Sequence, residues 1–578
     1  MARLDGAEIL ARALKNEGVE KVFTLSGGHI FRVYQECDKL GIDIIGTRHE
    51  GAAAFAAQHY ALTSGKPGVV LLTAGPGVTN AMTQVAECSM GDVPVLFLGG
   101  AAALFHELTA ALQEYDTLGM MKPHTVFASK VKETHRIAEH IAVAFRSMLG
   151  AKTGPAYIEL PVDILEVHLV EEETVKFPEN YRAKGRILGD PADVEKAADL
   201  LINAEKPMIW VGDGAQFNCQ NYTVFKELAE YLQIPADFSN SNLGRFVTHN
   251  EDPLFQVGAL AMTQADVITL LNYRPILMIA EQFPDDCKLI NVNRNGDHVG
   301  LNFPVEVGMI GHADAVAEQI LKAVKSKTAK RDSSEWVDSL VSMRSAFAPM
   351  ALDGYDSDES PIRAVRLAYD IFTFLQSPEG QEFCYIFDGG DSVTWPSIIR
   401  SFRPLQLDFP GRFYIASYMG AVGYSMGAVT GVYESEGRPI IHSIGDGSFG
   451  QYTAELFTYA QKKIPYVVVI FNDANWGMIK AFSMIKAPDE NHDIGQLINL
   501  DEGDGYFRYE KIADAWGGYG VCVTQPEDII PEIKKAAEAC KSGKPAIVNC
   551  LVACKKEYFS MQTNSLYQHV VTPPKLGY

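Results

Sequence analysis

The sequence lacks the features of secreted, disulfide-stapled, membrane-spanning or nucleic-acid-binding chains. It has no CxxC spacing: nine cysteines are scattered along it, and Cys550 and Cys554 are the nearest pair. An odd number of thiols in a long chain predicts reduced cysteines in a cytoplasmic protein, each serving as buried filler. No run of roughly 18 apolar residues occurs, so no membrane-spanning helix is expected. The opening Met1-Ala2-Arg3-Leu4-Asp5-Gly6 carries no apolar core, so no signal peptide is expected. Positive charge is scarce: 50 Lys and Arg stand against 72 Asp and Glu, for a net charge of −22. That balance disfavours nucleic acid and anionic membrane as partners. No short-period repeat is present.

What is there is the composition of an ordinary globular protein, 47% hydrophobic and 21% charged over 578 residues. That length exceeds one core and predicts roughly three to four domains. Asp5 and Glu8 form a capping-box pattern before an apolar helical stripe that ends at Gly18. Short apolar runs follow at 22–25, 42–45, 69–73 and 93–98, and the pattern ends near 158–161. Apolar runs separated by helical stretches predict a mostly parallel sheet covered on both faces. A charged, irregular stretch at 171–190 reads as a linker. A second α/β unit begins with a helix at 192–204, with strands at 208–211, 267–271 and 289–292. The acidic segment 353–361 is a second linker. A third α/β unit has strands at 383–387, 413–416, 439–444, 466–471 and 546–550. The expected fold class is α/β, as three Rossmann-like domains with parallel sheets over 1–170, 190–345 and 360–554. The tail 555–578 has no periodicity and reads as a strap across the body or a frayed end.

Two segments concentrate the chemistry. The apolar run 439–444 leads directly into Gly445-Asp446-Gly447-Ser448-Phe449-Gly450. The run 466–471 leads into Asn472-Asp473-Ala474-Asn475-Trp476-Gly477, 25 residues after Gly447. Open α/β sheets bind ligands at the carboxyl ends of their strands. Glycines let backbone N–H groups approach phosphate oxygens, and Asp446 offers a hard carboxylate to a divalent ion. GDG alone marks many surface turns; the pair of strand-end segments points to a diphosphate and a metal.

These segments belong to a wider set: 27-GGHI-30, 47-TRHEGAAAFAA-57, 66-KPGVVLLTAGPGVTNA-81, 113-QEYD-116 and 418-YMGAVGYSMGA-428. Together they resemble the thiamine-diphosphate-dependent enzymes of the acetolactate synthase and benzaldehyde lyase type, over nearly the whole chain. The N-terminal half is most similar to benzaldehyde lyase. The resemblance implies pyrimidine-binding, central and diphosphate-binding domains, with thiamine diphosphate and Mg²⁺ as cofactors. It also implies an active site formed between two chains, hence a homodimer at least and a homotetramer as the expected assembly. Glu50 resembles the carboxylic residue that pairs with the aminopyrimidine ring and drives cofactor activation. Taken without the resemblance, Glu50 reads as an acid favoured by a helix N-terminus. Asp446, Asp473 and the carbonyl of Asn475 are the implied metal ligands, although the family has Asn where this chain has Asp473. Gly447 and Ser448, with Gly389 and Gly390, are expected near the diphosphate; a tight turn is the other reading of Gly389-Gly390. Gly420 would offer its carbonyl to the cofactor, and Val422 would be the apolar wedge that bends it.

The same resemblance assigns the pocket. His29 matches a histidine that moves protons on substrate oxygens, and Gln113 a glutamine that contacts substrate or cofactor. Gly28, Met478 and Phe482 would shape the substrate space; Ile479 and Phe482 equally fit a helix packing on the core. Benzaldehyde lyase has histidines where this chain has Ser26 and Ala416, and a tyrosine where it has Val393. The expected flavin-binding pattern of acetolactate synthase is not found, and Asn272-Tyr273-Arg274-Pro275 is at most a remnant of it. Lys555, Lys556 and Lys575 could meet the phosphates of a nucleotide, but the tail does not match the CoA-binding tail of oxalyl-CoA decarboxylase. The implied activity is C–C bond cleavage and formation on 2-hydroxy carbonyl compounds, with small aldehyde or ketone substrates. Alternatives are a 2-hydroxyacyl-CoA lyase, an acetolactate-synthase-like enzyme, a 2-oxoacid decarboxylase, or a degenerate cofactor-binding protein.

Overall fold

The computed structural model describes residues 2–217, 219–238, 252–402, 413–415, 418–487, 506–555, 558 and 560. Ala416, Lys556 and Lys575, and most of the tail 555–578, lie outside the described residues. Contacts divide the chain into two compact units. The first takes Met1–Gly185 together with Ser417–Gly437 and Tyr452–Thr458, and the second takes the remainder.

The first unit holds β1 (Arg3–Leu4), β2 (Lys21–Thr24), β3 (Asp43–Gly46), β4 (Gly68–Leu72), β5 (Val95–Ala101), β6 (Phe127–Lys130), β7 (Ala156–Pro161) and β8 (Val170–Glu171). Six of these form one sheet in the order β3-β2-β4-β5-β7-β6, every pair parallel. β4 is buried along its whole length, as expected of a strand covered on both faces. The helix Gly6–Asn16 starts on the predicted capping box: Glu8 N–H donates to Asp5 Oδ1 at 2.8 Å, and Asp5 N–H to Glu8 Oε2 at 2.9 Å. Its Ile9, Leu10 and Leu14 enter a core with Val22, Leu71 and Leu96.

A second contact defines this unit. The alanine-rich helix Glu50–Ser64 packs along the helix Ser425–Glu436. A Cβ on Gly431 would lie 2.0 Å from the Ala56 carbonyl, and one on Gly427 2.8 Å from that of Ala52. The two backbones therefore touch through small residues. This is why a run such as Ala52-Ala53-Ala54 sits where larger apolar residues would ordinarily fill a helix face.

The second unit carries two further parallel sheets. β9 (Pro207–Val211), β10 (Ala236–Phe238), β11 (Val267–Leu271), β12 (Lys288–Asn293) and β13 (Val307–Ile310) lie in the order β10-β9-β11-β12-β13. β14 (Cys384–Phe387), β15 (Phe413–Ile415), β16 (Ile440–Gly445), β17 (Tyr466–Asn472), β18 (Gly520–Val523) and β19 (Ala546–Leu551) lie in the order β15-β14-β16-β17-β19-β18.

Each large sheet reverses its strand order near its middle: between β2 and β4, between β9 and β11, and between β14 and β16. At such a reversal the loops leaving neighbouring strands diverge and open a crevice at their carboxyl ends.

Candidate active site

In the first unit the crevice between β2 and β4 gathers the residues singled out at 27–30 and 113. His29 lies on the loop after β2, with Nδ1 3.4 Å from Thr73 Oγ1 after β4. Burial lowers the imidazole from its ordinary value, and a hydrogen bond with the Gln113 side chain acts the other way. The net shift leaves His29 neutral at pH 7. Gln113 has a φ of +61° and packs its main chain on Gly75, where a Cβ would come 2.8 Å from the Gln113 carbonyl. Glycine at 75 is thus required for Gln113 to reach His29. Gly28 is exposed, with open space where a side chain would stand.

Glu50 opens the helix Glu50–Ser64 and is buried. Asn80 Nδ2 donates to its Oε2 at 3.0 Å. The preceding turn is closed by His49, whose Nδ1 accepts the Gly51 N–H at 2.9 Å. The segment leading to Gly420 is tied by Glu87, which accepts the N–H groups of Tyr418 at 2.6 Å and Met419 at 3.0 Å. Gly420 has a φ of +75° and is exposed, and Val422 is half-buried. Thr73, Asn80 and Glu87 escaped the reading of the sequence. Thr73 closes an apolar run, whereas Asn80 and Glu87 stand among other polar residues such as Thr79, Thr83 and Gln84, where nothing local marks them.

In the second unit the crevice between β14 and β16 holds both predicted diphosphate segments. Gly389 and Gly390 follow β14, and Gly390 has a φ of +69° with nothing within 4 Å of a Cβ there. Ser392 Oγ donates to the Gly389 carbonyl at 2.8 Å, closing a turn at the head of the helix Asp391–Phe402. Asp446 begins the short helix Asp446–Gln451 rather than a free loop, and Ser448 is buried in its first turn. Gly445 of β16 pairs with Phe471 of the adjacent β17, so Asp446 and Asp473 leave neighbouring strands one residue apart in register. The Gly447 and Ala474 N–H groups donate to the Asp446 carboxylate. Asp473 Oδ1 accepts the Asn475 N–H at 2.9 Å, and Lys480 Nζ donates to Asn475 Oδ1 at 3.1 Å. Met478 and Phe482, on the helix Gly477–Lys486, are half-buried, whereas Ile479 is 56% exposed and does not pack on the core.

In the central sheet the loops that follow β9 and β11 pack on each other. Cβ atoms on Gly212 and Gly214 would each lie 2.2 Å from atoms of Asn272. Asn272 Oδ1 accepts the Arg294 N–H at 3.0 Å, and Trp210 stacks on Tyr273 with ring centres 4.4 Å apart.

Three family profiles match this chain. "Thiamine pyrophosphate enzyme, N-terminal TPP binding domain" matches residues 4–120, the central-domain profile 194–320, and the C-terminal TPP binding domain 393–550. The chain belongs to the thiamine pyrophosphate enzyme family. The 2-hydroxyacyl-CoA lyase 2 proteins of Homo sapiens and Danio rerio are 28% and 29% identical to it. Those matches cover 95% of this chain and 90% and 91% of the relatives. The acetolactate synthase isozyme 3 large subunit of Escherichia coli is 26% identical, over 97% of each chain.

The chain is therefore a member of a thiamine-diphosphate-dependent lyase and carboligase family, with thiamine diphosphate (thiamine pyrophosphate) as its cofactor and Mg²⁺ as the family's usual metal. Its residues fit that pair. Asp446 is 2% exposed and its Oδ2 is buried without a hydrogen-bond partner, so a strong acceptor faces inward unsatisfied. Burial, and then the charge of Asp473, raises the Asp446 carboxyl; burial, and then Asp391, raises that of Asp473. A divalent cation removes this conflict, and hard oxygens are the donors Mg²⁺ takes. Among the described residues no group of three or more His, Cys, Asp or Glu side chains is assembled for a metal. The candidate set is two carboxylates completed by a main-chain carbonyl.

Proposed function

We propose that this protein is a thiamine-diphosphate- and Mg²⁺-dependent lyase and carboligase of the benzaldehyde lyase type, cleaving and forming C–C bonds in 2-hydroxy carbonyl compounds. The observation that carries this reading is His29 in the crevice of the first sheet, 3.4 Å from Thr73 Oγ1 and hydrogen-bonded to the Gln113 side chain. Bound thiamine diphosphate supplies a nucleophilic carbon that adds to a carbonyl and accepts the electron pair of the bond that breaks. Glu50 holds a proton at the aminopyrimidine ring, and Asn80 orients that carboxylate. His29 takes the proton of the substrate hydroxyl as the C–C bond breaks and an aldehyde leaves. In the other direction it returns a proton to the oxygen of a captured second aldehyde. Gln113 fixes the imidazole, and Gly28, Met478 and Phe482 bound the substrate space. Asp446, Asp473 and the Asn475 carbonyl hold Mg²⁺; Gly389, Gly390, Gly447 and Ser448 meet the diphosphate; Gly420 and Val422 support the cofactor rings. We place the enzyme in the cytoplasm as a homotetramer of three-domain chains (1–170, 190–345 and 360–554), with each active site formed between two copies.

A second reading, cleavage of 2-hydroxyacyl-CoA, is supported by the full-length similarity to proteins named 2-hydroxyacyl-CoA lyase 2. The two are separated by offering benzoin, pyruvate and a 2-hydroxyacyl-CoA in parallel and identifying the products. Aldehyde from benzoin is expected. Formyl-CoA would select the second reading, and CO₂ from pyruvate alone would sink both.

A further inference from the structure

We propose that Glu455 is a positioning residue for Glu50, its buried carboxylate gripping the turn that presents Glu50 at the start of its helix. This rests on the reading of Glu50 as the residue that activates the cofactor. Glu455 opens the helix Glu455–Lys462 and is 1% exposed. Its Oε1 accepts the Arg48 N–H at 2.9 Å, and the His49 N–H donates to the same carboxylate. These donors come from the two residues immediately before Glu50. Both precede the helix and have no place in its internal ladder, so Glu455 meets an obligation the helix start cannot. The other groups of the turn are satisfied locally: Thr47 Oγ1 donates to the His49 carbonyl at 3.0 Å, and His49 Nδ1 accepts from Gly51.

The grip is two-sided. Tyr452, three residues before Glu455, stands edge-on to the His49 ring with centres 5.2 Å apart, and Tyr424 packs on Tyr452 at 5.0 Å. A Cβ on Gly51 would come within 3.0 Å of the Tyr452 hydroxyl, so the first turn of the Glu50 helix is pressed against this ring. Burial pushes the Glu455 carboxyl up to about 7, while the Arg48 N–H works against that rise. What the turn needs from this side chain is an acceptor for two adjacent donors. An anchor of this kind acts on the reaction through Glu50: small rotations of the turn move the Glu50 carboxylate, and catalytic geometry tolerates little displacement.

The test follows exchange of the cofactor C2 proton with deuterated solvent in the holoenzyme, beside turnover, cofactor affinity and unfolding midpoint. Glu455→Ala is expected to slow C2–H exchange and kcat at least tenfold at saturating cofactor, with KM for the carbonyl substrate within twofold. Glu455→Gln keeps an acceptor oxygen of the same reach and is expected to recover most of the rate. A wild-type exchange rate in folded Glu455→Ala protein overturns the proposal, as does Glu455→Gln protein as slow as the alanine variant. If Glu455→Ala does not fold, Glu455→Asp takes its place: the same slowing is expected, and a wild-type rate overturns the proposal. Glu50→Gln separates the two readings. A wild-type exchange rate in that variant overturns the role of Glu50 and this proposal with it. A slow rate there beside a fast Glu455→Ala overturns the positioning role alone.

Discussion

At Asp473 the chain carries a charge where the resemblance expects a neutral amide, and its neighbours define what that charge meets. The Cys554 thiol donates to the Asp473 carboxylate, and Lys480 stands one hydrogen bond away on Asn475. A Cβ on Gly477 would lie 2.3 Å from Asp473 Oδ2, so a side chain there displaces that carboxylate. In the metal site proposed above, the extra carboxylate would strengthen the hold on a divalent ion by direct charge attraction. Asp473→Asn is therefore expected to keep thiamine diphosphate but bind Mn²⁺ about tenfold more weakly, or ~1.4 kcal/mol, by titration calorimetry. Asp446→Ala is expected to lose metal and cofactor together on dialysis against a chelator. Cofactor content equal to wild type would remove Asp446 from the metal site. The residues at strand ends, Asp446, Asp473 and His29, were legible because a long apolar run leads to a polar, Gly-rich turn. Glu455 was not, because a single acid inside Ala454-Glu455-Leu456-Phe457 carries no mark of burial until Arg48, far away in sequence, is brought to it.

Elements show the same division for a different reason. The strands expected at 69–73, 267–271, 466–471 and 546–550 correspond to β4, β11, β17 and β19, interior strands buried on both faces and so written as continuous apolar runs. In the three large sheets the strands missed were β6, β10, β13 and β18, and all four lie at sheet edges. An edge strand is short and partly solvated: β13 alternates buried and exposed residues, and β6 is half-buried throughout. β6, Phe127-Ala128-Ser129-Lys130, leaves no apolar run, and β13, Val307-Gly308-Met309-Ile310, is a four-residue run broken by glycine. The Ala-rich helix after Glu50 was expected, but the reason for its alanines is the helix Ser425–Glu436 lying against it. Gly431→Ala places a methyl group against the Ala56 carbonyl, a backbone atom that cannot swing away. That variant is expected to lose about 1–3 kcal/mol of stability, read as a lower denaturant midpoint with an unchanged slope. An unchanged midpoint would mean that the two helices do not need this approach.

Across the whole molecule, stability has a built-in dependence on pH through a histidine far from the chemistry in sequence. His312 Nδ1 accepts the Ile187 N–H at 2.8 Å, so its ring is neutral in the folded state. Burial, and then the charge of Arg294, pushes its pKa down to about 4. The unfolded chain takes up this proton near 6.5 and the folded chain does not, so stability is lost as pH falls from about 6.5 to 4. His312→Gln keeps an acceptor oxygen and is expected to flatten the fall in unfolding free energy over that window. Parallel curves for the two proteins would exclude His312 as its source. By itself the sequence determined the α/β class, most interior strands, the capping box at Asp5 and the strand-end turns, because each is set by neighbours in the chain. Tertiary structure alone decided that Ser425–Glu436 and Tyr452–Thr458 join the first unit, and that Glu87, Glu455 and Asn80 meet the backbone and carboxylate they serve. Two of those pairings reach across 331 and 407 residues and the third across 30, and no local pattern records which partner will satisfy each buried donor or charge.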